Sequence, residues 1–284
     1  MVINKSIRKT LLLGGIAMLS HVAMAEKKPN ILFIAIDDMN DWVGVLGGQK
    51  QAKTPNIDKL AKSGINFTNA HCSAPGCSPS RNAILYGIEP YRSGMYAFYH
   101  EANMKPTLEK YTSLIRLFKE NGYDTYGSGK IHHDNYGGKA FLQGDRSEFT
   151  ENNEGELEKL PRLKLDKTVG FTEKGGGEMS FCPTTSPLED HPDYVTAQFG
   201  VEILNRKHDK PFSLAVGFHK PHLPFICPKE ESPFVLPGII PGMVLKKMID
   251  ADRPDKTGVR QNSGLREKRL YFCKSTKNTN KYNL

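Results

Sequence analysis

The first sustained pattern along the chain is an unbroken apolar run, Ile31-Leu32-Phe33-Ile34-Ala35-Ile36, closed by Asp37-Asp38. Six apolar residues without alternation predict a strand buried on both faces, as in a parallel sheet. Thr54-Pro55 predicts a helix start, with a capping hydroxyl followed by Pro in the first turn; Ile57, Leu60 and Ala61 then share one face and Gly64 ends it. Ile65 and Phe67 predict a second strand. Ser78-Pro79 repeats the cap-and-proline signature. A further helix is predicted over 108–120, with Leu114, Leu117 and Phe118 inward and Gly122 as its stop, followed by a short strand over 123–126. Helical spacing returns through Val195, Phe199 and Ile203, and an apolar strand over 211–218 runs into His219-Lys220-Pro221-His222. Between them, residues 142–187 are rich in Gly, Glu, Lys and Thr with little periodicity and read as a long surface excursion carrying substrate contacts. The alternation of strand and helix predicts an α/β fold with a mainly parallel central sheet.

Composition narrows the picture. The 284 residues are 38% hydrophobic and 25% charged, which excludes collagen, extended disorder and a polytopic membrane protein. Five cysteines are too few for a disulfide scaffold. Residues 1–25 combine Lys5, Arg8 and Lys9, an apolar stretch from Leu11 and the small-residue triplet Ala23-Met24-Ala25, the pattern of a secretory signal peptide. The expected mature chain is therefore exported, secreted or periplasmic, with no membrane association after cleavage. The net charge of +8 is concentrated in two places, the signal segment and residues 229–284, where twelve Lys and Arg face six Asp and Glu. Residues 26–228 are nearly neutral, so no nucleic-acid partner is expected.

Three predicted strand ends carry chemistry: Asp37 with Asp38, Lys130 with His132 and His133, and His219 with Lys220 and His222. In open α/β sheets ligands bind at the carboxyl edge of the strands, so these groups should converge on one crevice. Cys77 stands at a predicted helix start, where unpaired backbone donors favour a thiolate.

The segment Cys77-Ser78-Pro79-Ser80-Arg81 resembles the sulfatase signature, in which the cysteine is oxidised after translation to formylglycine. Gly129-Lys130-Ile131-His132-His133 and His219-Lys220-Pro221-His222-Leu223-Pro224-Phe225 bring the resemblance nearest to the iduronate-2-sulfatase type. It covers about residues 28–228. It implies an alkaline-phosphatase-like sandwich, a divalent cation such as Ca²⁺, a maturation enzyme that makes the formylglycine, and sulfated glycans or small sulfate esters as substrates. In the family's chemistry one oxygen of the hydrated formylglycine attacks sulfur and the alcohol leaves; deprotonation of the second hydroxyl then expels sulfate and restores the aldehyde. By resemblance, Asp37, Asp38 and residue 77 would hold the cation, Arg81 the formylglycine hydroxyl and Lys130 the sulfate. His133, three residues after the lysine, is preferred over His132 as the base, and His219 would contact the ester. Lys220 and His222 are second choices, His222 as a structural or substrate-edge residue.

The pattern breaks after His222. The family's later Asp-His or Asp-Asn pair and second lysine find no counterpart, and Asp190-His191 lies upstream before a helix. Residues 26–228 therefore read as the N-terminal part of a sulfatase domain, incomplete at its C-terminus. Residues 229–284 read as an atypical basic tail, out of frame or disordered. A phosphoester or phosphonate hydrolase would carry Ser or Thr in place of Cys77. An inactive homologue that binds sulfated glycans remains the other alternative.

Overall fold

The computed structural model describes residues 28–50, 52–96, 109–133, 146–164, 181–228 and 271–272. The proposed signal segment and nearly all of the basic tail lie outside the described residues.

Four parallel strands, β1 (Ile31–Ile36), β3 (Asp124–Gly129), β4 (Glu151–Asn152) and β6 (Phe212–Phe218), form one sheet in the order β1-β6-β3-β4. Two shorter parallel pairs accompany it: β2 (Ile65–Asn66) with β8 (Tyr271–Phe272), and β5 (Phe181–Thr184) with β7 (Phe225–Pro228). The helices are α1 (Pro55–Ser63), α2 (Cys77–Tyr86), α3 (Pro90–Ser93), α4 (Leu114–Glu120), α5 (Glu154–Leu157) and α6 (Pro192–Asn205).

β6 is the buried centre, with every residue buried, and its pleat divides the core. Leu214, Val216 and Phe218 pack with Phe199 and Ile203 of α6, while Ala215 joins Leu85, Ile115, Ile131 and Phe149 on the opposite face. β1, expected to be buried on both faces, is half-buried throughout, because among the described residues it pairs on one side only.

Local chemistry departs from several expectations. The Thr54 hydroxyl does not cap α1; it accepts the Gly44 amide at 2.8 Å and donates to Asp58 Oδ1 at 3.1 Å, tying the preceding turn to the helix. α2 begins at Cys77 with Gly76 as its cap, one residue before the Ser78-Pro79 signature. α4 is shorter than predicted, capped by the Ser113 side chain accepting the Arg116 amide at 3.1 Å, and it buries Ile115 while Leu117 faces solvent. The segment read as a long surface excursion holds β4, α5 and β5 in its described parts and buries Glu148, Glu154 and Leu157.

Candidate functional site

The carboxyl ends of β1, β3 and β6 meet the start of α2, as the strand-end pattern predicts. Asp37 is 5% exposed and is the hub. Its Oδ1 accepts from Arg81 Nη2 at 3.2 Å and its Oδ2 pairs with the Lys130 ammonium. Arg81 Nη1 also donates to the carbonyls of Lys130 and of Ile131, the latter at 3.1 Å, so one guanidinium fixes two strand ends. Cys77 and Arg81 stand four residues apart on α2, which puts both on one face. Asp38 follows in the left-handed region with φ of 52°, a conformation that Asp tolerates better than most residues.

Two glycines allow the strand ends to close up. A Cβ on Gly217 would lie 1.9 Å from the Lys130 carbonyl oxygen, and one on Gly129 would lie 2.2 Å from the Gly217 oxygen. The Lys130 amide donates to that same Gly217 carbonyl at 2.8 Å.

Charge organises the cluster. Burial pushes the Asp37 carboxyl up, but the Arg81 guanidinium and Lys130 ammonium more than offset this and hold it at about 2. Burial, followed by the Asp37 and Asp38 carboxylates, pushes the Cys77 thiol up to about 11 against the opposite pull of Lys130 and Arg81. The thiolate expected at this helix start is thus disfavoured: burial and two carboxylates outweigh the helix end, and unmodified Cys77 is a neutral thiol at neutral pH.

The β6 loop is held from outside the sheet. Asp193, 4% exposed in the first turn of α6, accepts the amides of His219 at 2.7 Å and Lys220 at 2.8 Å. Lys220 Nζ donates to the carbonyls of His222 at 3.1 Å and Pro224 at 2.6 Å, so it braces the loop rather than presenting its charge to a ligand. Burial, then Lys130, Lys220 and His222, holds the His219 imidazole at about 2, neutral at any ordinary pH. The His219 and His222 rings lie 4.9 Å apart, and His222 Nε2 is 3.9 Å from Asp38 Oδ2.

Ligating atoms of Asp37, Asp38, Cys77 and His222 all lie within 4.8 Å of one another. Of the residues singled out from the sequence, Asp37, Asp38, Cys77, Arg81 and Lys130 come together, and His222, ranked second, joins them at the centre. His132 turns the other way: it is buried, with Nε2 3.5 Å from Glu148 Oε2 and its ring edge-on to Tyr86. His133 follows it, half-buried. The sequence reading missed Asp193 and Glu148. An acid in the first turn of a helix reads as dipole compensation, and nothing local says that Asp193 instead serves a loop 26 residues on.

Residues 29–234 match the family model described as Sulfatase. The chain belongs to the sulfatase family. It is 32% identical over 239 residues to "Sulfatase" of Formosa agariphila, covering 77% of this chain and 45% of that protein. To iduronate 2-sulfatase of Homo sapiens it is 30% identical over 206 residues, covering 71% of this chain and 36% of that one. The chain thus spans less than half the length of these relatives. The crystal structure of PsFucS1 sulfatase from Pseudoalteromonas sp. superposes with a TM-score of 0.53 at 24% identity, over 87% of this chain and 55% of that one, and shows a common fold. The sulfatase signature at Cys77 thus sits on a sulfatase fold.

Proposed function

We propose that this chain is the N-terminal part of a secreted or periplasmic, formylglycine-dependent sulfatase acting on sulfated carbohydrate of the uronate-2-sulfate kind. The observation that carries the reading is the pairing of Arg81 and Lys130 on one buried carboxylate, Asp37, beside residue 77. Iduronate 2-sulfatase among the relatives supports the substrate class. An unmodified Cys77, its thiol pushed up by burial and the two carboxylates, is a poor nucleophile in the folded chain.

The donor set fits a hard divalent cation: two carboxylates and an oxygen on residue 77 after conversion. Such a cation would polarise a sulfate oxygen. Lys130 and Arg81 place positive charge where a transferring sulfuryl group accumulates negative charge. Because His132 is buried and turned toward Glu148, His133 is kept as the base. His222, close to residue 77, is better placed than His219 to meet the ester oxygen, and His219, already neutral, packs behind it.

The deciding experiment is co-expression of the full chain with a formylglycine-generating enzyme and mass spectrometry of the peptide containing residue 77. Conversion of the thiol to the aldehyde supports the reading; fully unmodified cysteine overturns it. Parallel assays with aryl sulfate and aryl phosphate separate a sulfatase from a phosphoester hydrolase on the same fold.

A further inference from the structure

Four donors from three separate stretches of chain meet at the sheet edge: Asp37 and Asp38 after β1, Cys77 at the start of α2 and His222 in the loop leaving β6. Their ligating atoms all lie within 4.8 Å of one another, and His222 Nε2 is 3.9 Å from Asp38 Oδ2. A tetrahedral ion with bonds of about 2.0–2.3 Å needs its donors about 3.3–3.8 Å apart, so small side-chain rotations close this set around one.

His222 is oriented for such a role from outside the set. Its Nδ1 lies 2.6 Å from the Leu223 carbonyl oxygen. A carbonyl only accepts, so Nδ1 carries the hydrogen and the neutral ring keeps a bare lone pair on Nε2, the nitrogen nearest Asp38. A hydrogen bond of this kind on the second nitrogen is the usual support of a metal-bound histidine, since it fixes the tautomer and the direction of the ring. The backbone beneath is held as well. Lys220 Nζ donates to the His222 carbonyl at 3.1 Å, and Asp193 accepts the Lys220 amide at 2.8 Å.

Donor chemistry selects the ion. Thiolate sulfur and imidazole nitrogen suit zinc, whereas calcium takes six to eight oxygens. Conversion of Cys77 would replace the sulfur by oxygen and turn the same place toward a hard cation. In the unconverted chain the thiol gives its proton to solvent as sulfur bonds the metal, and three anionic donors then face the two cations Arg81 and Lys130, which leaves room for a divalent charge.

We propose that the chain with an unmodified Cys77 binds Zn²⁺ through Cys77 Sγ, His222 Nε2 and the Asp37 and Asp38 carboxylates, so that the chemical state of residue 77 sets which metal the site takes. The zinc site stands on the thiol and the imidazole and not on sulfatase activity; only the switch to a hard cation rests on the proposed function.

The test uses the full chain made without a maturation enzyme, its thiol at residue 77 confirmed by mass spectrometry, and titrated with Co²⁺ as a spectroscopic stand-in for Zn²⁺. Expected are one bound equivalent, a sulfur-to-cobalt charge-transfer band and the visible bands of a tetrahedral ion, bleached by Zn²⁺ and untouched by excess Ca²⁺. Cys77→Ser should remove the charge-transfer band, and His222→Ala should weaken Co²⁺ by about tenfold or more. Cys72→Ser and Cys227→Ser should leave spectrum and affinity unchanged. In the unmutated chain, Zn²⁺ should slow iodoacetamide alkylation of Cys77 by about tenfold or more, since a metal-bound sulfur is a weaker nucleophile than the free thiolate. The proposal is overturned if no charge-transfer band develops, if the band survives Cys77→Ser or is lost in Cys72→Ser or Cys227→Ser, or if His222→Ala binds Co²⁺ as tightly as the wild type. Bleaching by Ca²⁺ as readily as by Zn²⁺, or alkylation of Cys77 at an unchanged rate, overturns it equally. Conversion of residue 77 is read separately, so its failure overturns the proposed function and leaves the zinc site standing.

Discussion

His219 donates its amide to Asp193 at 2.7 Å, so the loop leaving the central strand is fixed by a carboxylate on the helix that precedes that strand. The bond has a twin at Lys220, 2.8 Å, on the other carboxylate oxygen. Asp193→Ala would strand two amides and is expected to cost about 2–4 kcal/mol, since a buried donor left without its partner loses its solvation uncompensated. Urea denaturation measures that loss. Titration with inorganic sulfate should show weaker anion binding than in a core variant of equal stability loss, such as Ile203→Ala.

Arg81→Lys keeps the charge but not the fork that spans Asp37 and two carbonyls. The substitution should lower stability by about 2 kcal/mol or more, because a buried carboxylate loses part of its pairing. Thermal unfolding with and without sulfate checks this, and an unchanged midpoint would contradict the role given to Arg81.

Gly217→Ala places a methyl group against the Lys130 carbonyl. Overpacking of this kind costs about 1–3 kcal/mol, and the chain must spread exactly where Lys130 meets Asp37. Gly155→Ala is the control: its Cβ would meet nothing within 4 Å, so it should be neutral or slightly stabilising. Chemical denaturation of the two variants side by side discriminates.

His191 is 5% exposed, and burial first, with Lys220 adding to it, lowers its imidazole below the ordinary 6.5. The unfolded chain therefore binds a proton that the folded one resists. The resulting stability is fully present above 6.5 and is lost as pH falls below it. His191→Gln should flatten the slope of the denaturation midpoint between about pH 5 and 7; a slope as steep as in the wild type would refute the assignment.

Much of the fold was legible because parallel strands announce themselves as apolar runs. Ile31–Ile36 and Phe212–Phe218 were both found within a residue, and the acidic and basic residues that follow them meet at one edge. Less was legible where the deciding contact is remote. Leu117 has an inward spacing yet faces solvent, because Ile115 takes the place against Leu85 and Phe149. Thr54 looks like a cap and instead serves a turn ten residues back. The two histidines after Lys130 are equivalent in sequence, and only the buried Glu148 separates them. His222 gains its place through a loop braced by Lys220 and Asp193, which no spacing encodes.

The sheet order carries a consequence for synthesis. Ile31 on β1 pairs with Ser213 on β6, and β6 is also the strand that lies between β1 and β3. A ribosome adding about 5–20 residues per second needs roughly 10–40 s between the two partners, during which β1 lacks the strand it pairs with among the described residues. Contacts of such long sequence separation also fold slowly. The emerging segment 31–36, wholly apolar, is therefore a part of this chain open to a chaperone or an aggregating neighbour until β6 is made.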